Sequence, residues 1–312
     1  MQINKKSKIF LAGHKGMVGS AIHSYLKSKA FENIIIIDKK KLNLLNQNQT
    51  KKFINKIKPD CVIIAAARVG GIMANKQYKA NFIYENLMIQ TNLIHSSYLA
   101  GVKKLIFLGS SCIYPKFARQ PIDENQLLNG KLEETNDAYA IAKIAGVKMC
   151  EAYNKQYKLD YLCLMPTNLF GPNDNYDLRT SHFFPALLRK IYNAKKKGKR
   201  KLIIWGNGKS KRELMFVDDL ARACEFFLRK KTKHSLINIG SGIEKNIEEY
   251  AKFIMKKLEV NLQIKNDMSK PNGTPRKILN CKLAKSYGWK PKTDLSSGFD
   301  LTYKSFLKKN LS

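Results

Sequence analysis

Short apolar runs alternate with longer amphipathic segments along this chain. The apolar runs are rich in Ile, Val and Leu and lack the polar alternation of half-exposed strands, which is typical of parallel strands buried on both faces. Helices are predicted to begin near Met17, Asn48, Asn81 and Asp137. The predicted strands are "KIFLAG" (8–13), "NIIIID" (33–38), "DCVIIAAA" (60–67), "KLIFLGS" (104–110), "YLCLMP" (161–166) and "SLINIGS" (235–241).

This order of elements predicts an α/β fold, a doubly wound parallel (Rossmann) sheet with helices on both faces. After Phe170 the alternation loosens into the loop "GPNDNYDLRTSHFFP", a helix, a short strand at 202–205 and a turn at "WGNGKSKRE". We therefore assign residues 1–170, together with 217–241, to the sheet domain. Residues 171–216 and 242–312 would form a smaller, C-terminal substrate-binding region. Ligands are expected at the carboxyl ends of the strands.

A glycine-rich loop, "AGHKGMVG", follows the first strand and opens the first predicted helix. In such loops the first glycine permits a tight turn, the second lets the backbone approach a pyrophosphate, and the third allows close packing of helix on strand. Because a strand precedes the loop and a helix follows it, Gly13, Gly16 and Gly19 predict dinucleotide binding. The alternative is a loop that serves only turning and packing.

The residues after the second strand bear on the choice of dinucleotide, and they conflict. Asp38 lies about 20 residues beyond the glycine loop, where a carboxylate holds the ribose 2′-hydroxyl of NAD. Lys39, Lys40 and Lys41 follow it, and together with Lys15 they could pair with a 2′-phosphate. These lysines could equally form a solvated turn. We expect NADP(H), while Asp38 argues for NAD.

Tyr139 and Lys143, in "NDAYAIAKIAG", are four residues apart on a predicted helix and therefore share one face. An ammonium beside a phenol favours the phenolate and lowers a pKa that is normally about 10. Such a tyrosine can pass a proton to or from a carbonyl oxygen. Ser110, at the end of the fourth strand, can give that oxygen a second hydrogen bond. By itself the Tyr-x-x-x-Lys spacing is also that of an ordinary surface pair.

Together, the glycine loop, Ser110, Tyr139 and Lys143 resemble the short-chain dehydrogenase/reductase superfamily, in its extended, sugar-nucleotide branch. Dehydratases of that branch carry an Asp-Glu pair after the fourth strand. This chain has Ser111 and Cys112 at those positions, in "FLGSSCIYP". Since the carboxylate pair is missing, elimination of water is not expected.

A thiol at this strand end suggests a different reaction. Cysteine has an ordinary pKa of about 8.5 and can remove a proton from carbon once that pKa is lowered. A histidine can return the proton, and His182 in the predicted loop after Phe170 is the candidate. The alternatives are a packed thiol at Cys112 and, at His182, a loop histidine bonded to backbone or to cofactor.

The chain is similar to the GDP-L-fucose synthase family over nearly its whole length. That resemblance implies an enzyme that epimerises GDP-4-keto-6-deoxy-D-mannose at C3 and C5 and reduces the C4 ketone with NADPH. It also implies a homodimer in which the helix of Tyr139 and a helix near 81–100 pair into a four-helix bundle. The matching stretches are "AGHKGMVGSAI", "AAARVGGI", "NFIYENLMIQTNLI", "LGSSCIYPK", "QPIDENQLLNG", "YAIAKIAG", "MPTNLFGPNDN", "SHFFPALLRK", "WGNGKSKRE", "VDDLA" and "KPNGTPRK".

The same resemblance implies roles for individual residues, with Cys112 and His182 as base and acid on opposite faces of the sugar ring. The implied catalytic set is Tyr139, Lys143, Ser110, Cys112 and His182. The implied cofactor contacts are Gly13, His14, Lys15, Gly16, Met17, Val18, Gly19, Lys39, Leu108, Gly109, Ser110, Ser111, Lys143, Pro166, Thr167, Asn168, Leu169 and His182. The implied contacts to the GDP-sugar are Lys190, Trp205, Arg212 and Arg276. Relatives often carry Arg where this chain has Lys190.

The charge balance raises a second possibility. The 312 residues include 57 Lys and Arg against 24 Asp and Glu, a formal net charge of +33. Such an excess can indicate nucleic-acid binding, but the lysines are scattered along the chain and no basic run is interleaved with aromatic residues. A general bias toward Lys, Ile and Asn explains the charge better, with attraction of anionic ligands as a secondary effect. We expect no nucleic-acid partner.

The cysteine spacing and the hydropathy bear on metal binding and on cellular location. The six cysteines form no CxxC pair and have no zinc-ligand spacing, so we expect reduced thiols and no metal. No apolar run approaches the roughly 20 residues of a membrane span, and the start "MQINKKSKIFLAG" lacks the features of a secretory leader. A cytoplasmic enzyme with no membrane partner is the expectation.

Two alternative functions fit parts of this pattern. Another sugar-nucleotide epimerase or reductase would use a different base and prefer a CDP- or UDP-sugar. A non-catalytic dinucleotide sensor on the same fold would typically lack the tyrosine or the lysine of the Tyr-x-x-x-Lys pair, and both are present here.

Overall fold

The structure, a computed structural model, describes residues 2–311. Short 3-10 turns lie at Ser111–Ile113 and Glu124–Gln126. The remaining elements are β1 (Ile9–Ala12), α1 (Met17–Ser28), β2 (Ile34–Ile35), α2 (Gln47–Ile57), β3 (Cys61–Ile64), α3 (Ile72–Gln77), α4 (Lys79–Leu99), β4 (Lys104–Leu108), α5 (Asp137–Tyr157), β5 (Asp160–Pro166), β6 (Asn168–Phe170), α6 (Phe183–Lys196), β7 (Lys201–Trp205), β8 (Lys211–Phe216), α7 (Val217–Leu228), β9 (Leu236–Ile239), β10 (Glu244–Asn246), α8 (Ile247–Lys257), β11 (Gln263–Asp267), β12 (Arg276–Lys277), α9 (Lys282–Ser286) and α10 (Leu295–Leu311).

A six-stranded parallel sheet in the order β2-β1-β3-β4-β5-β9 confirms the predicted doubly wound fold. All six predicted strands are present, and most are shorter than their apolar runs because only the central residues of each run form ladder bonds. Strand β2 lies on one side of β1, whereas β3 and the later strands of the sheet lie on the other side. This reversal of strand order opens a crevice at the carboxyl ends of β1 and β3, where ligands bind in such folds.

Both faces of the central sheet are buried, which explains why most residues of its strands are apolar. Ile9 and Leu11 of β1 pack on the side of α1 and α7, whereas Phe10 and Ala12 pack on the side of α2, α4 and α5. The same alternation continues in β3, β4 and β5. Each large apolar side chain contributes about 1.5–3 kcal/mol on burial. The few polar residues inside the sheet are hydrogen-bonded there, Lys104 to Asp160 and Asn238 to Tyr114, which leaves the strand ends as the positions for chemistry.

A second, smaller part of the structure is organised around β8. This strand pairs with β10 antiparallel and with β6 and β12 parallel, and β7 pairs with β11. A third apolar cluster joins these strands to α6, α8 and α10. The turn at "WGNGKSKRE" is shorter than predicted, because its last residues begin β8 at Lys211. Helix α6 begins inside the predicted loop, where Pro185 is tolerated because the first helical turn needs no intrahelical N–H donor.

Two features bear on the wider setting of the protein. Within residues 2–311, no helix combines the length and the apolar content that a bilayer crossing requires. In the same range, no group of three or more His, Cys, Asp or Glu side chains is arranged to hold a metal ion.

One buried carboxyl group should make the stability depend on pH. Asp174 lies in the loop after β6, and burial raises its pKa from 3.8 to about 7, against the lowering effects of the Asn175 N–H and the charge of Lys309. Between about pH 4 and pH 7 the folded protein holds a proton that the unfolded chain has lost, so stability falls as the pH rises through this window. Asp174→Asn should therefore be more stable than the wild type at pH 8, by up to about 4 kcal/mol.

Urea denaturation at pH 5, 6, 7 and 8 measures this effect. The difference between Asp174→Asn and the wild type should grow across the series. Glu32→Gln, which neutralises an exposed carboxylate, is the matched control and should track the wild type. A constant difference between Asp174→Asn and the wild type at all four pH values would contradict the assignment.

Candidate active site

The polar side chains singled out in the sequence gather near the carboxyl edge of the central sheet. The glycine loop follows β1, Ser110 and Cys112 follow β4, and Thr167 follows β5. Helix α5 supplies Tyr139 and Lys143 within its first two turns. Residues far apart in the sequence therefore meet at one edge, as parallel strand order requires.

The glycine loop has the geometry that a pyrophosphate needs. Gly13 has a φ of 92°, and a Cβ there would lie 2.5 Å from the backbone nitrogen of Ala66. A Cβ on Gly19 would lie 2.0 Å from the carbonyl oxygen of Gly13. Gly16 begins α1 without a side-chain cap, and the first turn has no acidic residue. The N–H groups of this helix terminus are therefore available to an anion, so the loop fits a dinucleotide.

Asp38, which favours a 2′-hydroxyl, and Lys15, which favours a 2′-phosphate, form an ion pair with each other. Lys15 Nζ lies 2.7 Å from Asp38 Oδ1, and His14 Nε2 lies 3.4 Å from the same oxygen. The hydrogen bond from Lys15 is the main cause that lowers the pKa of the Asp38 carboxyl group. Lys39 is exposed in the following turn. Lys15 is expected to bind a 2′-phosphate, but it is held by Asp38, whose carboxylate would repel that phosphate.

Ser110, Tyr139 and Lys143 lie around the end of β4. Ser110 Oγ accepts the N–H of Cys112 at 3.3 Å and caps the 3-10 turn that follows. Lys143 is 3% exposed, and its Nζ donates to the carbonyl oxygen of Leu108 at 2.8 Å. The same Nζ lies 5.9 Å from the centroid of the Tyr139 ring. The three side chains predicted to handle a carbonyl oxygen are therefore neighbours.

The pKa of Tyr139 is shifted upward, opposite to the direction expected from the sequence. Burial is the largest effect and raises the pKa of the phenol, and negative charge on Cys112 raises it further, while the hydrogen bond with Ser110 offsets only part. Lys143 does not reverse this shift: its ammonium donates to the Leu108 carbonyl, and burial lowers its own pKa to about 8. Tyr139 is thus a protonated donor near neutral pH, not a phenolate.

Cys112 is the cysteine that water can reach. The other five lie buried, whereas Cys112 is intermediate in exposure. Its sulfur accepts a hydrogen bond from Lys277 Nζ at 3.5 Å. Burial raises the pKa of this thiol, but the charge of Lys277, hydrogen bonds with Ser110 and Lys277, and the charge of Arg212 outweigh it, so the pKa lies below its ordinary value.

His182 occupies the N-cap position of α6. Its loop is fixed against the segment before α3: the N–H of Gly71 donates to the Thr180 carbonyl at 2.8 Å, and a Cβ on Gly71 would lie 2.2 Å from the Ser181 oxygen. The imidazole is exposed, yet desolvation by the surrounding protein and then the charge of Lys277 lower its pKa to about 4. These facts fit a neutral ring that lies near Lys277.

The residues expected beside the nicotinamide form two adjoining strand ends. Leu108, Gly109 and Ser111 continue β4, where the N–H of Gly109 donates to the Leu164 carbonyl at 3.0 Å. Pro166, Thr167, Asn168 and Leu169 continue β5 into β6. The side chains of Thr167 and Asn168 donate to the carbonyl oxygen of Glu213 at 3.2 and 2.9 Å, which fixes this segment to β8.

Of the four residues expected at the GDP-sugar, the structure brings two together. Lys190 Nζ donates to the Ile203 carbonyl at 3.0 Å and lies 5.4 Å from the centroid of the Trp205 ring. Arg212 lies close enough to Cys112 for their charges to interact. Arg276 instead faces outward in an ion pair with Glu244, with Nη2 2.6 Å from Oε1. Arg276 would have to leave this carboxylate to hold a diphosphate.

Lys277 is a site residue that the sequence analysis missed. It is the second residue of β12, and only its neighbour Arg276 was singled out in "KPNGTPRK". Successive residues of a strand face opposite sides, so an Arg-Lys pair on one strand could have signalled one outward and one inward cation. Its neighbours around Cys112, Glu133 and Asn136, were also missed; they line a shared pocket with both residues, and no motif marked them.

Comparisons with known proteins agree with this geometry. Residues 9–240 match the family described as "NAD dependent epimerase/dehydratase family". The fold and the site define a protein of that class, and the chain belongs to the NAD dependent epimerase/dehydratase family.

Within this class the similarity to GDP-L-fucose synthases, expected from the sequence, is confirmed. The chain is 50% identical to GDP-L-fucose synthase of Sinorhizobium fredii over 96% of this chain and 95% of the relative. It is 49% identical to GDP-L-fucose synthase 1 of Arabidopsis thaliana, over 98% and 94%. A solved GDP-mannoheptose C4 reductase from Campylobacter jejuni with NADP bound superposes with a TM-score of 0.89, at 36% identity over 98% and 99%.

The Asp38–Lys15 pair yields a prediction on dinucleotide choice. Asp38→Asn removes a carboxylate that would repel a 2′-phosphate and frees Lys15 to meet one. The ratio of NADPH to NADH affinity, measured by isothermal titration calorimetry, should rise on the order of tenfold at low salt. Asp60→Asn, which alters a carboxylate bonded to the N–H of Lys8, should leave the ratio unchanged. An unaltered ratio in Asp38→Asn would place the 2′ group elsewhere.

Proposed function

We propose that this chain is a bifunctional, NADPH-dependent enzyme that converts GDP-4-keto-6-deoxy-D-mannose to GDP-L-fucose. It epimerises C3 and C5 and reduces the ketone at C4. The observation that carries the proposal is the placement of Cys112, a thiol of lowered pKa, beside the Ser110 and Tyr139 hydroxyl groups. The names of the curated relatives support the same reaction.

The cofactor is NADP(H), which supplies the hydride for C4 when bound. The α1 N-terminus and Gly16 would hold its pyrophosphate, and Lys15 and Lys39 would meet its 2′-phosphate. The two adjoining strand ends at 108–111 and 166–169 would line the nicotinamide. The NADP-bound reductase of similar fold supports this choice of dinucleotide.

Epimerisation depends on the acidity of protons next to a ketone. Hydrogen bonds from Tyr139 and Ser110 would stabilise the enolate oxygen. Cys112, as thiolate, would take the proton from carbon while the electron pair of the C–H bond moves into the enolate. His182 would return a proton to the opposite face of the ring. The imidazole begins neutral, and the negative charge of the bound diphosphate and enolate would favour its protonation.

Reduction requires a proton for the C4 oxygen. Tyr139 is suited to supply it, because burial keeps the phenol protonated near neutral pH. Lys143 holds the end of β4 through the Leu108 carbonyl. This contact fixes the position of Ser110, two residues further on, relative to the phenol.

We infer that the two parts of the chain bind different ligands, as predicted from the sequence. Residues 1–170 with 217–241 would bind NADP(H), and 171–216 with 242–312 would bind the GDP-sugar. Trp205, with Lys190 above its ring, offers a flat face for the guanine or sugar. Arg212 can fork two hydrogen bonds to the diphosphate, and Arg276 can do so once it leaves Glu244.

We also propose that the protein is a homodimer that pairs α4 and α5 with their copies. Both helices have 21 residues and lie side by side over one face of the sheet. Their outer surface exposes large apolar side chains: Tyr84 is 58% exposed, Ile141 48% and Leu99 45%. An apolar surface of this kind is typical of an interface. The cytoplasmic location and the absence of a nucleic-acid partner stay predictions.

A coupled assay tests the proposed reaction. Pure protein mixed with GDP-4-keto-6-deoxy-D-mannose and NADPH in heavy water should consume NADPH and place deuterium at C3 and C5. Cys112→Ser should lower deuterium uptake by two orders of magnitude or more, since a hydroxyl is a far weaker base. Tyr139→Phe should mainly slow NADPH oxidation.

Two controls make the result specific. NADPH affinity should stay near the wild-type value in Cys112→Ser, and CDP- and UDP-4-keto-6-deoxy sugars should react poorly. Normal deuterium uptake in Cys112→Ser would remove this thiol from the mechanism, and a preference for a UDP- or CDP-sugar would overturn the substrate.

The dimer is tested by light scattering after size exclusion. The wild type should have twice the 35.7 kDa mass of one chain. Tyr84→Lys, which places a charge on the proposed interface, should shift the protein toward the monomer. Lys52→Glu, on the exposed face of α2, is the control and should remain dimeric. A monomeric wild type would refute the proposal.

A further inference from the structure

Lys277 is buried without a carboxylate partner. The residue is 9% exposed, and within residues 2–311 no Asp or Glu oxygen lies within ion-pairing distance of its Nζ. Glu133 lines the same pocket, but its carboxylate pairs with Lys116 at 3.1 Å. The acceptor that the structure gives to this ammonium is the sulfur of Cys112 at 3.5 Å. A buried cation is costly unless it is paired, which makes a thiolate the natural partner.

The fold delivers Lys277 to this position by strand register. In the parallel pairing of β12 with β8, Lys277 lies opposite Arg212, and Arg276 lies opposite Lys211. Neighbouring residues of a strand face opposite sides, so the outward turn of Arg276 toward Glu244 directs Lys277 inward. The sulfur therefore faces two cations, Lys277 by contact and Arg212 by charge.

We propose that Lys277 is a positioning residue that keeps Cys112 in the thiolate form and holds its sulfur in place for the reaction. The contact between the two side chains stands on geometry alone, and the catalytic consequence of the ion pair rests on the proposed function. Lys277 takes no part in the proton transfer itself. The proton that the sulfur accepts comes from carbon, so the lysine sets the charge of the base without itself being consumed.

The other titratable groups around the sulfur support a thiolate. Arg212 and Lys277 are cationic, and Tyr139 is protonated because burial raises its pKa. His182 is neutral at pH 7, since desolvation and the charge of Lys277 lower its pKa to about 4. The carboxylate of Glu133 is compensated by Lys116. Near neutral pH, the charges close to Cys112 are therefore mainly positive.

Alkylation by iodoacetamide as a function of pH tests the proposal without any turnover. The five other cysteines are buried, so Cys112→Ser should give only a slow background. In the wild type the midpoint of the alkylation rate should lie below 8.5, the ordinary value for cysteine. In Lys277→Met it should rise by about one unit or more, which slows alkylation at pH 7 on the order of tenfold.

Two further variants separate a specific effect from a general one. Lys277→Arg keeps the charge and should keep the low midpoint. Lys211→Met removes an exposed cation from the neighbouring strand and should leave the midpoint where it is. A Lys277→Met protein with the wild-type midpoint would overturn the proposal.

A measurement on the native protein covers the case in which Lys277→Met fails to fold. The difference in thiolate absorbance at 240 nm between the wild type and Cys112→Ser should titrate with a midpoint below 8.5. A midpoint at or above 8.5 would refute the thiolate pair. If this titration succeeds while Cys112→Ser exchanges deuterium normally, the ion pair stands and the proposed reaction fails.

Discussion

Burial of a parallel sheet on both faces is the constraint on which the rest of the structure depends. Most residues of its strands are apolar because helices cover either side. A polar side chain can therefore enter the chemistry only where a strand leaves the core. Gly13, Ser110 and Thr167 lie at three such exits, and because β1, β4 and β5 run parallel, these exits share one edge of the sheet. The location of the site follows from the packing.

Within that site, one lysine and the surrounding burial influence three protonation states, two of them in the sense that the proposed reaction needs. Burial keeps Tyr139 protonated, which suits a proton donor to a ketone oxygen. The charge of Lys277 acts on Cys112 to favour the thiolate and on His182 to favour the neutral ring. A base, Cys112, and a proton donor, Tyr139, can therefore coexist at the same pH. In the proposed reaction His182 would gain its proton once the anionic substrate is bound.

The sequence predicted the sheet, the glycine loop and the Ser110, Tyr139 and Lys143 constellation, because each rests on a local pattern. Strand runs, glycine spacing and an i, i+4 pair are visible within about 20 residues. Lys277 was not predictable in this way, since 165 residues separate it from Cys112. Their meeting depends on the register of a two-residue strand against β8. The pKa of Tyr139 was mispredicted for a related reason, since helical spacing reveals a neighbouring cation but not the carbonyl that binds it.

The same long-range contact connects the two parts of the chain. Cys112 belongs to the segment that continues the central sheet, and Lys277 belongs to the strand that completes the smaller sheet around β8. Arg212, opposite Lys277, lies on that smaller sheet as well. The thiol therefore acquires its cationic neighbours only when both parts are in place. A base that becomes active only in the assembled cleft is less exposed to stray oxidation and alkylation, because a cysteine of ordinary pKa reacts slowly near neutral pH. Under the proposed pairing with Lys277, the reactive form of Cys112 is thus confined to the folded, complete site.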